Sequence, residues 1–113
     1  MSLVIKLSVH TVLFRLLAIL RAEPTDASAL IERLRSLAPG NVPSLPAFYR
    51  HLRRGMDEGW IMVDGTDPPE HGPGRPRQVY RLTQSGRAAL AEHARELRIF
   101  ASLALDGDGT TAP

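Results

Sequence analysis

Arginine dominates the basic residues of this sequence, because Lys6 is the only lysine among the 14 lysine and arginine residues. A guanidinium group presents a rigid fork of donors that matches phosphate oxygens and the major-groove edge of guanine. The composition is therefore compatible with nucleic-acid binding. A GC-rich genome also enriches arginine codons, and the net charge is only +2. Composition alone leaves both explanations open.

The other residues capable of chemistry do not converge on a catalytic or metal site. The sequence has no cysteine, which excludes disulfides and thiolate ligands for a metal. Four histidines lie on different segments without a partner at ligand spacing: His10, His51, His71 and His93. The sequence therefore predicts that the protein is not an enzyme and that it binds no metal or cofactor.

Hydrophobic periodicity predicts the elements that position the arginines. Apolar residues recur at spacings of three and four over residues 8–21 and 27–37, which is typical of two amphipathic helices. A third helix is predicted to begin after Ser44, whose side chain can cap it, and to end at about Glu58. The arginines at 50, 53 and 54 fall on this third helix.

Two β-prone segments, 60–63 and 78–82, follow the third helix and flank a loop rich in glycine and proline, which predicts a long hairpin. A last helix is predicted from the N-cap Thr83 to about Leu105. Helix, turn, helix and hairpin in this order outline a winged helix-turn-helix. The predicted fold class is therefore mainly α with a small β-hairpin.

Three parts of the chain are predicted to differ in role. Residues 1–82 form the winged helix domain, residues 83–105 form a C-terminal dimerisation helix, and residues 106–113 form a disordered tail. An apolar run near the N-terminus is interrupted by Arg15, and no signal cleavage site follows it. We therefore expect no membrane segment and a cytoplasmic location.

The last helix carries more apolar surface than one small domain can cover, which predicts a partner chain. Its apolar seam advances by alternating steps of four and three, as in a coiled coil. A homodimer is therefore predicted, with the first and last helices in contact with the partner. The expected interface residues are Leu13, Leu17, Leu90, Ala94, Leu97, Phe100, Ala101 and Ala104.

Two segments resemble the PadR family of winged helix-turn-helix transcriptional regulators. Residues 45–52, LPAFYRHL, followed by 59–61, GWI, resemble the family's recognition helix and its end. Residues 74–87, GRPRQVYRLTQSGR, are similar to its wing and to the junction with the last helix. Gly55 departs from the pattern, which usually has leucine there. The resemblance covers nearly the whole chain except the tail.

The resemblance implies a sequence-specific DNA-binding regulator that acts as a homodimer on a pseudo-palindromic operator, and a repressor is expected. The third helix would enter the major groove of double-stranded DNA. The wing arginines would bind either phosphate or a narrow minor groove. The expected DNA contacts are Ser44, Pro46, Ala47, Tyr49, Arg50, Arg53 and Arg54 on the helix, and Arg75 and Arg77 on the wing.

Several PadR-like regulators sense planar aromatic compounds at the dimer interface, so a small aromatic effector is a candidate partner here. Phe14, Trp60 and Phe100 are the candidate contacts, although a role for Trp60 as a core residue at the start of the hairpin is favoured. The alternative function is a winged-helix module that binds protein and not DNA. The arginines of the third helix and the wing discriminate between the two functions.

Overall fold

The computed structural model describes residues 11–67 and 77–107. These residues form a mainly helical domain with a small antiparallel sheet, which confirms the predicted fold class. In chain order the elements are α1 (Thr11–Ala22), β1 (Thr25–Asp26), α2 (Ala27–Leu37), a 3₁₀ turn (Pro39–Asn41), α3 (Leu45–Asp57), β2 (Ile61–Asp67), β3 (Arg77–Leu82) and α4 (Gln84–Asp106).

Polar side chains fix the starts of α2, α3 and α4. At each start, a side-chain oxygen accepts a hydrogen bond from a backbone N–H of the first helical turn, which would otherwise lack a partner inside the helix. The predicted caps Ser44 and Thr83 are confirmed. The bonds are Ala29 N to Asp26 Oδ1 (2.8 Å), Ala47 N to Ser44 Oγ (3.3 Å) and Gly86 N to Thr83 Oγ1 (3.0 Å).

Helix α1 is the centre of the hydrophobic core, and this corrects part of the predicted dimer interface. Leu13 and Leu17 are completely buried, and Leu90 of α4 retains only 7% of its surface. Because the protomer's own core encloses these three side chains, they offer no surface to a partner chain. The core is completed by residues of every other helix and of the sheet, among them Leu30, Leu34, Phe48, Leu52, Trp60, Ile61 and Leu82.

Trp60 is a core residue and not a surface for an effector. Its side chain is only 2% exposed, and its backbone links the end of α3 to the start of α4. Trp60 N donates to Gly55 O at 2.9 Å, and Trp60 O accepts from Thr83 N at 2.9 Å. The inclusion of Trp60 among the effector contacts is therefore wrong, and the favoured structural role is the one observed.

The sheet contains a strand that the sequence does not predict. Strand β1 pairs with β3 through Thr25↔Tyr80 and Asp26↔Val79, so the strand order is β1-β3-β2 and both pairings are antiparallel. A strand of two residues is too short to show alternation of polar and apolar residues. This short strand attaches the start of α2 to the middle of β3.

Gly55 is buried because another side chain occupies the place next to it. A Cβ atom at this position would lie 2.5 Å from Ile61 Cδ1 and 3.2 Å from Leu13 Cδ1. Ile61, at the start of β2, therefore fills the volume that a side chain on α3 would need. The departure from the leucine of the family pattern is thus accommodated by close packing of α3 against β2 and α1.

Helix α4 extends one residue further than predicted. It includes Asp106, which the sequence assigns to the tail, and Gly107 follows in the left-handed conformation with φ 81°, a conformation that glycine adopts without strain. The rest of the predicted tail, 108–113, lies outside the described residues. None of the helices in the described segments combines the length and apolarity needed to cross a bilayer.

Candidate nucleic-acid interface

Helix α3 separates apolar and basic residues onto opposite faces. Phe48 and Leu52 are buried in the core, whereas Tyr49 is 48% exposed. Leu45, which the periodicity places on the inner face, is 57% exposed, because it is the first residue of the helix and extends beyond the core. The exposed side forms a shallow depression of about 540 Å³, and we call the seven residues that line it the α3 face: Pro46, Tyr49, Arg50, His51, Arg53, Arg54 and Asp57.

The α3 face carries three arginines and one carboxylate, Asp57, so its charge is positive. Arg54 is paired with Glu58, with Nε and Oε2 3.1 Å apart. Arg50 and Arg53 are exposed and form no ion pair within residues 11–67 and 77–107. Two unpaired guanidinium groups next to each other on one helix are the arrangement that attracts phosphate and guanine.

The start of α3 presents small residues together with hydrogen-bond donors. Ser44 and Pro46 are exposed and Ala47 is half-buried. The Ser44 hydroxyl oxygen accepts the Ala47 N–H, which leaves the hydroxyl proton available for donation to another acceptor. Small side chains allow the backbone at the start of a helix to come close to a ligand. The predicted contacts Ser44, Pro46 and Ala47 therefore lie at the accessible end of the α3 face.

The hairpin contributes Arg77, which an ion pair holds in place. Arg77 Nη1 lies 3.0 Å from Asp26 Oδ2, and the Asp26 side chain is only 11% exposed. Nearer the end of the hairpin that joins the helices, Arg81 Nη1 lies 3.4 Å from Asp64 Oδ1. The sequence predicts Arg77 as a DNA contact but does not predict its partner. Arg75, the other wing arginine, lies outside the described residues.

A small notch joins α3 to the hairpin and to the start of α2. It has a volume of about 200 Å³ and is lined by Asp26, Ala27, Ser28, Tyr49, Arg77, Gln78 and Tyr80. Tyr49 is common to the notch and the α3 face. The three elements therefore meet on one side of the molecule, where the predicted contacts of helix and hairpin become neighbours.

Two tyrosines, Tyr49 and Tyr80, bring hydroxyl groups to this junction. Tyr80 Oη donates to Gln78 Oε1 at 2.9 Å. Burial raises the pKa of the Tyr80 phenol above its usual 10.0, and the nearby Tyr49 raises it further. Tyr80 therefore remains protonated at neutral pH and keeps its hydroxyl proton as a donor. The Tyr49 ring packs edge-on against the buried Phe48, with centroids 5.2 Å apart.

Sequence reasoning missed Asp26 and Ser28 as parts of this side of the molecule. Asp26 caps α2, and no spacing in the chain connects it to Arg77, 51 positions later. The sequence signal that could have found this region is the helix cap, because the unpaired N–H groups at the start of a helix can bind an anion.

The predicted effector and dimer residues lie away from the α3 face, on α1 and α4. Phe14 is half-buried and packs edge-on against His93, with ring centroids 4.9 Å apart, whereas Phe100 is 58% exposed. Leu97 is 40% exposed, and Ala94, Ala101 and Ala104 are exposed as well. These residues of α4 are thus free to form a surface for a second chain.

The described residues do not form a metal site. Within the two described segments, no group of three or more histidine, cysteine, aspartate or glutamate side chains is placed to hold a metal ion. The chemistry that the arrangement supports is therefore recognition of an anionic surface by arginine and by hydroxyl groups.

A basic α3 face next to an antiparallel hairpin defines a winged-helix protein. The model of the transcriptional regulator PadR-like family matches residues 16–92, and the chain belongs to this family. A comparison with curated proteins finds no match in sequence.

Several solved structures share the fold. A PadR-family transcriptional regulator from Eggerthella lenta is 26% identical with a TM-score of 0.67, covering 88% of this chain and 82% of that one. Pex from Synechococcus is 29% identical with a TM-score of 0.59, covering 75% and 78%. PadR of Bacillus subtilis, solved in complex with operator DNA, is 21% identical with a TM-score of 0.62, covering 74% of this chain and 46% of that one.

Proposed function

We propose that this protein is a sequence-specific DNA-binding transcription regulator that binds a pseudo-palindromic operator as a homodimer. In this proposal α3 lies in the major groove, with Ser44, Pro46 and Ala47 at its leading end and the arginines of the α3 face behind them. The hairpin, with Arg75 and Arg77, follows the adjacent backbone or minor groove.

One observation carries the proposal, namely that Arg50 and Arg53, on an exposed helix beside the hairpin, form no ion pair with any residue that the structure describes. Exposed arginines without carboxylate partners favour binding to a polyanion, because each bound phosphate releases condensed counterions. A relative also supports DNA binding, since the B. subtilis PadR structure contains operator DNA. A winged-helix module for protein binding would not require this concentration of free positive charge.

The experiment that tests the proposal is selection of DNA fragments by the purified protein, followed by affinity measurements at several salt concentrations. We expect a preferred sequence, and an affinity for it that falls steeply as salt rises, with about one counterion released per phosphate contact. Affinity that is independent of salt, or no enrichment of any sequence, would instead favour the protein-binding module.

The homodimer in this proposal uses the exposed seam of α4. Four residues recur at heptad-like spacing on one side of the helix, with Phe100 beside them: Ala94, Leu97, Ala101 and Ala104. Burial of this seam against its copy would remove apolar surface from water and set the distance between two α3 helices. A dimer also doubles the DNA contact surface, since a single small module gains limited affinity alone.

Substitution Phe100→Asp is expected to weaken dimerisation on the order of 100-fold, because it places a charge in an apolar interface. The folding of the protomer should change little, since Phe100 is 58% exposed. Sedimentation velocity across a concentration series measures the dimer dissociation constant. Ile99→Asp is the matched control, because Ile99 is 57% exposed on the opposite side of α4. Equal weakening by both variants would contradict the proposed seam.

Regulation in this proposal is repression, with release from DNA by a small aromatic effector. The remaining candidate contacts are Phe14, whose ring connects α1 to His93 of α4, and Phe100 on the proposed seam. A ligand bound between these helices in the dimer would alter their packing and with it the separation of the two α3 helices. The expected location of such a regulator is the cytoplasm.

A further inference from the structure

We propose that Asp26 is a positioning residue for DNA binding, which fixes the wing arginine Arg77 and the first residues of β3 against the start of α2. This inference rests on the proposed function and deepens it, because it names a specificity-determining residue that does not itself touch DNA.

Asp26 connects three elements at once. Its Oδ1 accepts the Ala29 N–H and so caps α2. Its backbone is part of β1 and lies opposite Val79 of β3. Its Oδ2 lies 3.0 Å from Arg77 Nη1. A single residue thus binds the first turn of the helix that precedes α3, the inner strand of the sheet and the cation at the base of the wing.

Burial makes this ion pair different from the other pair in the hairpin. The Asp26 and Arg77 side chains are 11% and 36% exposed, compared with 38% and 49% for Asp64 and Arg81. A charged pair that is partly removed from water is less screened by salt and has a more defined geometry than an exposed pair. Arg77 therefore begins β3 in a fixed orientation.

A fixed orientation of Arg77 favours specific over non-specific binding of DNA. An arginine has five N–H donors, more than the ion pair with Asp26 uses, and because Nε of Arg77 is buried, the contact with DNA would come from the terminal amino groups. Because the guanidinium is already oriented, less conformational freedom is lost when the specific complex forms. Non-specific binding depends mainly on net charge and not on orientation. The Asp26 carboxylate therefore contributes to specificity even though its charge opposes binding to DNA.

The test uses Asp26→Asn, which retains the helix cap because asparagine caps as well as aspartate, but removes the ion pair. Amide hydrogen exchange in the free protein should become about fivefold faster at residues 77–80 in the variant. The affinity for the selected DNA should fall about fivefold, while the affinity for unrelated DNA stays the same or rises. The double variant Asp26→Asn with Arg77→Gln should lose no more specificity than Arg77→Gln alone.

Asp64→Asn is the matched control, because it removes the same charge from the more exposed ion pair of the hairpin. It should leave both the exchange rates and the ratio of specific to non-specific affinity unchanged. The inference is overturned if Asp26→Asn behaves like Asp64→Asn, or if exchange accelerates while the affinity ratio stays constant. Should the wild-type protein bind no DNA, the proposed function fails, whereas the exchange rates still decide whether Asp26 anchors the hairpin.

Discussion

Replacement of Arg50 by alanine is expected to weaken binding to the selected DNA about 10- to 100-fold, the cost typical of a lost base or phosphate contact. Arg50 lies in the middle of the α3 face, is exposed, and has no ion-pair partner among the residues that the structure describes. Its loss should therefore affect DNA binding and not folding. Fluorescence anisotropy with labelled DNA measures the affinity, and thermal unfolding checks that the protein stays folded.

Two further variants make the Arg50 result specific. Arg35→Ala removes another exposed arginine near the end of α2, where it pairs with Glu32, and should change affinity by less than about threefold. Arg50→Lys retains the charge but loses the fork of donors, so it should recover binding only if Arg50 contacts phosphate rather than guanine. If Arg50→Ala binds DNA as Arg35→Ala does, α3 is not the helix that reads DNA.

Replacement of Gly86 by alanine is expected to lower the free energy of unfolding by about 3 kcal/mol. A Cβ atom at Gly86 would lie 2.3 Å from Trp60 O and 2.8 Å from Leu82 Cδ1. The obstacle is a backbone carbonyl that cannot rotate away, so α4 must separate from the hairpin. That movement would also stretch the bond from Thr83 N to Trp60 O, now 2.9 Å, and the bond from Thr83 Oγ1 to Gly59 O, now 2.6 Å.

Urea unfolding of the two glycine variants checks this prediction. Gly40→Ala is the matched control, because a Cβ atom there would meet nothing within 4 Å. Its stability should stay within about 0.5 kcal/mol of the wild type, or rise slightly through the loss of freedom in the unfolded chain. Equal stability of Gly86→Ala and Gly40→Ala would show that α4 and the hairpin are not packed as closely as described.

The helices were predictable because local signals determine them. Periodic leucines place α1 and α2, and Ser44 and Thr83 fix the starts of α3 and α4 through bonds that span three residues. The outward face of α3 follows from the same periodicity, since burial of Phe48 and Leu52 directs Arg50 and Arg53 to solvent. This part of the candidate site was therefore available from the sequence.

Contacts between distant segments were not predictable in the same way. Leu13 and Leu17 have the pattern expected of a dimer helix, but apolar periodicity does not reveal whether a protomer's own core or a partner chain covers a residue. The pair of Asp26 and Arg77 depends on a strand of two residues, which carries no periodic signal. Such details follow from the tertiary packing and need the structure.

In the proposed complex, two copies of the chain present two α3 helices to one face of a DNA duplex. Hydroxyl-radical footprinting of the wild-type protein on its selected DNA tests this arrangement most directly. We predict two protected patches on the same face, centred about 10 base pairs apart or at a multiple of that distance. A single protected patch at saturating protein would contradict the paired arrangement.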